Sequence, residues 1–443
     1  MRSLSPTPLN AVFPSQIALE LLNARFSGCC MLPNLREIRW NAYKERHAAL
    51  VLPLTVSPFL TVFNLWLVDT SHAQVVASSL APAYDSLRSI VISWNDSEIV
   101  QEFSTLLLKC NPNQLRDFGV DSPLSWTAFL HASQLPNLRY FVIQADAAIP
   151  PSGASLPTTM FPSLRYLDIR GIDTDSTWLQ SLKRIYPGNL GGLILEFKHA
   201  TAVKKTLPVT LAHLRSTALH QTLAELTIDL RGGYCPSFEV DGTTIEPLLS
   251  LNQLTTLVIS FVCGQGKCGH KISDEDLEKL VKAMPKLRFL ALGAKLCSVP
   301  TNNPVKDLVA IAKHCKHLKK LTIHTNVEAI INSFSDRGDF LVEDPTFGGP
   351  ALGGCPLRSI IFNPCPIPNG VQGVKIFAST LLRLFPHLAE ATSTCPVSPE
   401  WKLVGAFITA LRLALVTGES GSFVSRMKFA DGDGVADADT EVD

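Results

Sequence analysis

The sequence DEDLEKLVKAMPKLRFLALG, at residues 274–293, contains the unit that decides the fold. Its first half has the pattern of a helix, because Ser273 and three acidic residues form a capped first turn and Pro285 ends the segment. Its second half, LRFLAL at residues 287–292, has apolar residues at its first, fourth and sixth positions. The fourth and sixth side chains share one face of a short strand and are expected to face a core. The segment therefore predicts a helix followed by a strand.

The strand pattern recurs thirteen times along the 443 residues. Its lead leucines are spaced by roughly 23 to 39 residues, near the leucine-rich-repeat range, and a unit of this kind must stack on a neighbour to bury its apolar face. We therefore predict an α/β leucine-rich-repeat solenoid, a curved horseshoe with parallel strands on its concave face. Its repeats are irregular, because the ninth position is rarely asparagine or cysteine. The lead leucines are Leu35, Leu60, Leu87, Leu115, Leu138, Leu164, Leu190, Leu223, Leu254, Leu287, Leu318, Leu357 and Leu388.

The repeat register also predicts the core and the other helices. Helical patterns fit the segments Ser97 to Cys110, Ser176 to Tyr186, Pro304 to Cys315 and Val371 to Phe385. The fourth and sixth positions predict these nearly buried residues: Leu167, Ile169, Leu257, Ile259, Leu290, Leu292, Leu321 and Ile323.

We expect one continuous solenoid domain over residues 31–395, preceded by an N-terminal flank at residues 1–30. An apolar run from Leu403 to Val416 predicts a capping helix within residues 396–425. Residues 426–443 are acidic and are predicted to be a disordered tail.

Composition argues against several classes of function. The chain has 39 basic and 39 acidic residues, so no overall charge attracts it to nucleic acid or to acidic membranes. Its eleven cysteines are scattered without a disulfide-like frame, and Met1 is not followed by a charged-then-apolar leader, so we expect the cytoplasm or the nucleus. The stretch from Ala48 to Val68 is uncharged and long enough to span a bilayer. Pro53 and Pro58 interrupt it, which favours a buried repeat unit and no membrane contact.

No motif predicts an enzyme, a cofactor or a metal site. Gly264, Gly266 and Gly269 have dinucleotide-loop spacing, but the acidic residue expected after the second strand is missing. Two groups of Cys and His residues are candidate zinc ligands, but neither has paired Cys-x-x-Cys spacing or a fourth member. They are Cys263, Cys268 and His270, and His314, Cys315 and His317. A nucleophile elbow and a His-Glu-x-x-His motif are both absent from the sequence.

The outward strand positions are the predicted site for a protein partner, because a solenoid stacks these side chains into one continuous surface. Tyrosine and arginine most often anchor protein interfaces, so Tyr140, Tyr166 and Arg170 are the strongest candidates. The long insertions between repeats are the alternative location. The full predicted set is Tyr140, Gln144, Tyr166, Asp168, Arg170, Lys320, Thr322 and His324.

A basic residue often follows the lead leucine. Such a row is able to contact an acidic partner, including a phosphorylated peptide. The zero net charge favours a simply solvated row. The basic residues are Arg36, Arg88, Arg116, Arg139, Arg165, Arg288, Lys319 and Arg358.

The segments LPNLREIRW, DEDLEKLVKAMPKLRFLALG and VKDLVAIAKHCKHLKKLTIH together resemble the F-box/leucine-rich-repeat proteins of mushroom-type fungi, over about Leu32 to Leu388. This resemblance implies a substrate-recognition subunit of a cullin ubiquitin ligase, in which an N-terminal F-box binds the Skp adaptor and the repeats bind the protein to be modified. Residues 1–30 lack the F-box pattern of Leu-Pro, helices and Trp, so the F-box is expected to be missing or truncated. A stand-alone interaction scaffold is the alternative.

Overall fold

The fold is taken from a computed structural model of the full chain. The structure describes residues 32–41, 48–66, 73–93, 101–145, 157, 160–173, 190–198, 200–216, 219–230, 245–261, 273–294, 304–323, 327–335, 354–362, 367, 370–393 and 399–417.

Within these residues, thirteen strands form a single parallel sheet whose spatial order is the order of the chain. Each strand pairs with the strands of the preceding and following units, and β1 and β13 are the two ends, so the sheet does not close. The α/β class and the open, sequentially stacked parallel sheet are therefore as predicted. The strands are β1 (Glu37–Asn41), β2 (Val62–Trp66), β3 (Ser89–Ser93), β4 (Asp117–Val120), β5 (Tyr140–Gln144), β6 (Tyr166–Ile172), β7 (Gly192–Phe197), β8 (Glu225–Leu230), β9 (Thr256–Phe261), β10 (Phe289–Ala294), β11 (Lys320–Ile323), β12 (Ser359–Phe362) and β13 (Glu390–Ser393).

Every strand begins two residues after one of the thirteen lead leucines. The register between neighbours is equally regular, so that Leu290 of β10 pairs with Leu257 of β9 and with Leu321 of β11. All eight inward residues predicted for the core are at most 5% exposed, which confirms the predicted core positions. Because side chains alternate along a strand, the third, fifth and seventh positions lie on the opposite face of the sheet, which we call the open face.

Helices contribute the other side of the core. The helices are α1 (Ala48–Thr55), α2 (Ala73–Ser79), α3 (Gln101–Lys109), α4 (Trp126–Gln134), α5 (Ala200–Ser216), α6 (Leu219–Thr222), α7 (Asp274–Ala283), α8 (Pro304–His314), α9 (Val327–Ser335), α10 (Gly370–Leu384) and α11 (Pro399–Thr417), with 3-10 turns at Ala81–Ala83 and Glu246–Ser250. The helix α7 begins as expected, with the Ser273 hydroxyl accepting a hydrogen bond from the Asp276 amide at 3.1 Å. Its apolar stripe, Leu277, Leu280 and Val281, is buried in the common hydrophobic core.

The other helix predictions agree at the level of the element. The structure has α8 over Pro304–His314 and α10 over Gly370–Leu384, within one residue of the predicted ends. The described part of the predicted Ser97 to Cys110 helix begins at Gln101. The segment Ser176 to Tyr186 lies outside the described residues.

Helix α11 covers the C-terminal end of the sheet. The Trp401 ring lies 5.2 Å from the Phe362 ring and 5.8 Å from the Phe377 ring, centre to centre, so it packs on both β12 and α10. Val404 and Ile408 of the same helix are fully buried. The segment Leu403 to Val416, expected to form a capping helix, lies within α11, which contacts the last strand, β13.

The uncharged stretch from Ala48 to Val68 contains α1 and β2. Leu52, Leu60 and Phe63 are fully buried in the common core, as predicted for a buried repeat unit. Among the described residues, no helix combines the length and the apolar character that a membrane crossing requires.

Candidate functional site

The structure brings five of the predicted binding residues together on the open face of β5 and β6. In the strand register, Tyr140 is opposite Tyr166 and Gln144 is opposite Arg170, with Asp168 between them on β6. Lys320 and Thr322 lie on β11, five strands away, at roughly 24 Å for a strand spacing of about 4.8 Å. His324 lies outside the described residues. The predicted residues therefore form one cluster on β5 and β6 and a separate pair on β11.

Tyr166 is the most exposed aromatic residue of the β5 and β6 cluster. It is 41% exposed, whereas Tyr140 beside it is half-buried. The Tyr166 ring lies directly over Gly192 of β7, at a place where a Cβ atom on residue 192 would collide with ring carbons. The glycine therefore gives the ring a flat backbone surface to rest on, and the ring keeps one face open to solvent.

A buried ionic network lies beside the two tyrosines. Arg170 donates two hydrogen bonds to Oδ2 of Asp168, from Nε at 3.0 Å and from Nη2 at 2.8 Å, and its Nη1 atom bonds Asp121 of the segment after β4. Asp168 is only 2% exposed, and its Oδ1 atom has no hydrogen-bond partner among the described residues. Asp168 lies on the predicted face, but Arg170 and its surroundings cover it.

The network determines the charge of the groups around it. Burial lowers the pKa of Arg170, but the hydrogen bond and negative charge of Asp168, with Asp121 and Glu196, outweigh burial and raise it overall. For Tyr140 the effect of burial has the opposite sign, because burial raises the pKa of a phenol, and the negative charge of Asp168 raises it further. The site therefore presents a permanent guanidinium ion and a neutral phenol at physiological pH.

The end of β6 is shaped by an irregularity in the pairing with β7. The register shifts between Ile169 and Ile172, and Gly171 has a φ of +68°, a conformation that favours glycine. A Cβ atom at this position would lie 2.6 Å from Oε1 of Gln144 and 2.8 Å from Cε of Lys198. Gly171 thus lets the Gln144 and Lys198 side chains approach the backbone next to Arg170.

The β11 pair has a different character. The Nζ atom of Lys320 lies 5.4 Å from the centre of the Phe289 ring, which is a cation–π contact with the preceding strand. Thr322 is half-buried between Ala291 and Ile361 in the register. Lys320 is the accessible member of this pair.

Three features of the site were not part of the sequence prediction. They are the position of Gly192 beneath Tyr166, the contact of Asp121 with Arg170, and the bulge at Gly171. The sequence contains a signal for the first two, since Gly191 and Gly192 form a double glycine at a strand start, and Asp121 occupies the same seventh repeat position as Arg170. The bulge has no comparable signal beyond the glycine itself.

The cysteines within the described residues do not form reactive or metal-binding groups. Burial raises the pKa of Cys110 and of Cys315 to about 12, and that of Cys355 to about 11. Within the described part of the chain, no group of three histidine, cysteine or acidic side chains is placed to hold a metal ion. In the two candidate zinc groups, Cys315 is a buried core residue, and Cys263, Cys268 and His270 lie outside the described residues.

No model of a known protein family matches the chain, and a search of curated proteins finds no match.

Proposed function

We propose that this chain is a non-catalytic protein-binding repeat protein of the leucine-rich-repeat type, whose sheet curves so that the open face is concave. The observation that carries the proposal is the exposed Tyr166 ring, supported by Gly192 in the middle of an uninterrupted parallel sheet. Tyrosine offers a large, rigid contact area with a polar end, which is why it is frequent at the centre of protein interfaces. The neighbouring Arg170 keeps its charge and adds a directional hydrogen-bond donor.

The wider role that we propose is substrate recognition, or the remnant of that role, in an SCF-type cullin ubiquitin ligase of the cytoplasm or nucleus. The support is the resemblance of the three segments quoted above, together with the stacked repeats. A stand-alone interaction scaffold, unconnected to ubiquitin, is the second candidate. It is favoured by the sequential stacking of the strands, because a stacked open face can bind a partner without an adaptor subunit.

The binding face is tested by site-specific photo-crosslinking in cells. A photoreactive phenylalanine analogue replaces Tyr166 in one variant and Val209, which is 55% exposed on helix α5, in a matched control. We expect the same protein adducts in replicate experiments from position 166 and none of them from position 209. Adducts from position 209 alone would contradict binding at the open face.

The wider role is tested with purified proteins. The full chain is mixed with the Skp adaptor and passed over a gel-filtration column. Co-elution as a stoichiometric complex supports the ubiquitin-ligase role. Separate elution at micromolar concentrations, combined with adducts from position 166, would favour the scaffold.

A further inference from the structure

Four arginines form a continuous row along the edge of the sheet at which the strands begin. Arg88, Arg116, Arg139 and Arg165 each precede the first residue of β3, β4, β5 and β6, and all four are exposed. The backbone fixes their alignment, because the carbonyl of each arginine accepts hydrogen bonds from two successive amides of the next unit. For Arg116 these bonds come from Arg139 at 2.6 Å and Tyr140 at 3.1 Å. We call this set the arginine row.

The positive charges of the arginine row are not paired with acidic side chains of the described residues. Within the described residues, none of the four forms an ion pair, whereas Lys279, Lys282 and Arg39 each have an acidic partner nearby. Asp117 is the one acidic residue of β4 close to the row, and burial raises its pKa while Arg116 and Arg139 act in the opposite direction. Like charges on directly opposed strand positions repel one another, so the row destabilises the free protein slightly.

The residues next to the arginine row distinguish it from the other basic positions of the sheet. The residue after each arginine points onto the open face, so that Tyr140 and the exposed Tyr166 directly follow Arg139 and Arg165. The row ends at β7, where Gly191 occupies the equivalent position and donates its amide to the Arg165 carbonyl. Outside the row, this repeat position is basic at Arg36 before β1 and at Arg288, Lys319 and Arg358 before β10, β11 and β12.

We propose that the arginine row binds an extended segment of the partner protein that carries aspartate or glutamate at alternate positions. Four units at a spacing of about 4.8 Å span roughly 14 Å, and three alternate side chains of an extended peptide span roughly 13 Å. Arginine forms bidentate hydrogen bonds with carboxylates, so each carboxylate can meet one or two guanidinium groups. This inference rests on the proposed protein-binding function and specifies the chemistry of the partner.

The surroundings favour a peptide over a nucleic acid. The open face beside the row carries three acidic residues, Asp117 on β4, Asp121 just after β4 and Glu196 on β7, and the chain as a whole has no net charge. A nucleic acid backbone is charged along its whole length and wider than one row of side chains, so it would meet these carboxylates. A peptide with a few spaced carboxylates can lie along the row and stay clear of Asp121 and Glu196, which lie toward the opposite ends of their strands.

The experiment measures binding of a fluorescent peptide to the purified full chain by anisotropy. In the probe, glutamate alternates with serine, and in the reference peptide glutamine replaces every glutamate. The test variant carries Arg88→Gln, Arg116→Gln, Arg139→Gln and Arg165→Gln. The control variant loses the same charge from exposed positions on helices, through Arg215→Gln, Lys313→Gln, Arg383→Gln and Lys402→Gln. Melting temperatures of both variants are measured alongside.

We expect the probe to bind the unmodified chain more tightly than the reference peptide, and more weakly as salt is added. The test variant should lose about tenfold in affinity, since several exposed ion pairs are removed together, and the control variant less than about twofold. Equal losses in both variants would show a non-specific charge effect and overturn the proposal. A third variant carries Arg288→Gln, Lys319→Gln and Arg358→Gln. A loss of peptide affinity in this variant alone would also overturn the proposal.

Two further probes test the class of ligand. Tighter binding of single-stranded oligothymidine than of the peptide at the same salt concentration would overturn the peptide assignment. Binding of a phosphoserine peptide with none of the glutamate peptide would overturn the carboxylate assignment. Because only purified protein and synthetic probes are used, peptide binding can succeed when no partner crosslinks at Tyr166. Failure of this inference is therefore distinguishable from failure of the proposed function.

Discussion

The Nη2 atom of Arg170 lies 2.8 Å from Oδ2 of Asp168. Through this contact Arg170, a residue of the open face, neutralises the buried charge of Asp168. The Asp168 side chain is 3% exposed and the Arg170 side chain 20%. An ionised carboxylate at such a depth is costly unless it is paired. Arg170 therefore has a structural role in addition to any contact with a partner.

The first prediction concerns this ion pair. Arg170→Ala should lower the free energy of unfolding by about 2 to 3 kcal/mol, which is below the usual cost of breaking a buried pair because the arginine is partly solvated. The matched control is Arg39→Ala, whose pair with Glu37 is exposed and should contribute less than about 1 kcal/mol. Urea unfolding followed by circular dichroism measures both. Equal losses in the two variants would show that Asp168 does not depend on Arg170.

This result bears on the choice of binding variants. A variant that removes both Tyr166 and Arg170 would be the most direct test of the predicted binding residues. Because Arg170 neutralises Asp168, weaker binding by that variant could come either from the loss of a contact with the partner or from a less stable fold. Tyr166→Ala alone is the cleaner variant, since this ring is exposed and outside the core cluster.

The second prediction concerns the repeat register. Leu290 is fully buried at the fourth position of its unit and packs between Leu257 and Leu321. Leu290→Ala should cost about 2 to 5 kcal/mol of unfolding free energy, from lost burial and the cavity left behind. The exposed Arg288→Ala in the same unit is the control and should change it by less than about 0.5 kcal/mol. A loss below about 0.5 kcal/mol for Leu290→Ala would mean that the strand register is wrong.

The strands could be predicted closely from sequence because their determinants are local. A lead leucine, an alternation of apolar residues and a stop before each unit lie within about ten residues, so the pattern predicts strand starts and inward side chains such as Leu290. The helices needed only the 3.6-residue period and a capping residue such as Ser273.

The chemistry of the open face was less predictable because it depends on distant residues. Asp168 is paired with Arg170, which also binds Asp121, a residue 49 positions before the arginine. Tyr166 is positioned by Gly192, a residue of the next unit. Outward repeat positions indicate which side chains share a face, but they do not indicate which of them pair with one another and which stay accessible.

The third prediction concerns the buried cysteines. Their raised pKa values mean that the folded protein holds the thiol protons of Cys110, Cys315 and Cys355 up to about pH 11 to 12. An unfolded thiol ionises near pH 8.5, so between about pH 9 and 12 the unfolded chain binds fewer protons and stability falls as the pH rises. The urea midpoint should therefore decrease steadily above about pH 9.

The same three thiols should resist alkylation. Treatment with iodoacetamide at pH 8, followed by peptide mass spectrometry, should leave Cys110, Cys315 and Cys355 unmodified in the native protein and modify them in urea, because the thiolate is the reactive form and burial also limits access. The unfolded sample is the internal control for reactivity. Native labelling of Cys315 as fast as in urea would contradict its burial at the C-terminal end of helix α8.

The fourth prediction concerns the support of Tyr166 by the double glycine. A Cβ atom at residue 192 would collide with the Tyr166 ring, whereas at residue 191 the nearest atom is the Arg165 carbonyl oxygen at 3.7 Å, an ordinary contact. Gly192→Ala should therefore displace the ring, and Gly191→Ala should not. Because the ring is exposed and free to rotate away, the loss of unfolding free energy should stay below about 1 kcal/mol for either variant.

The two glycine variants also test whether partner binding depends on the position of the Tyr166 ring as well as on its presence. If Tyr166 anchors a partner, Gly192→Ala should weaken binding of a partner identified by crosslinking about as much as Tyr166→Ala does, since interface anchors act only in one packed orientation. Gly191→Ala should bind as the unmodified chain does. Surface plasmon resonance with the purified partner measures all three variants. Unchanged binding by both Gly192→Ala and Tyr166→Ala would exclude Tyr166 as an anchor and redirect the search to the long insertions between repeats.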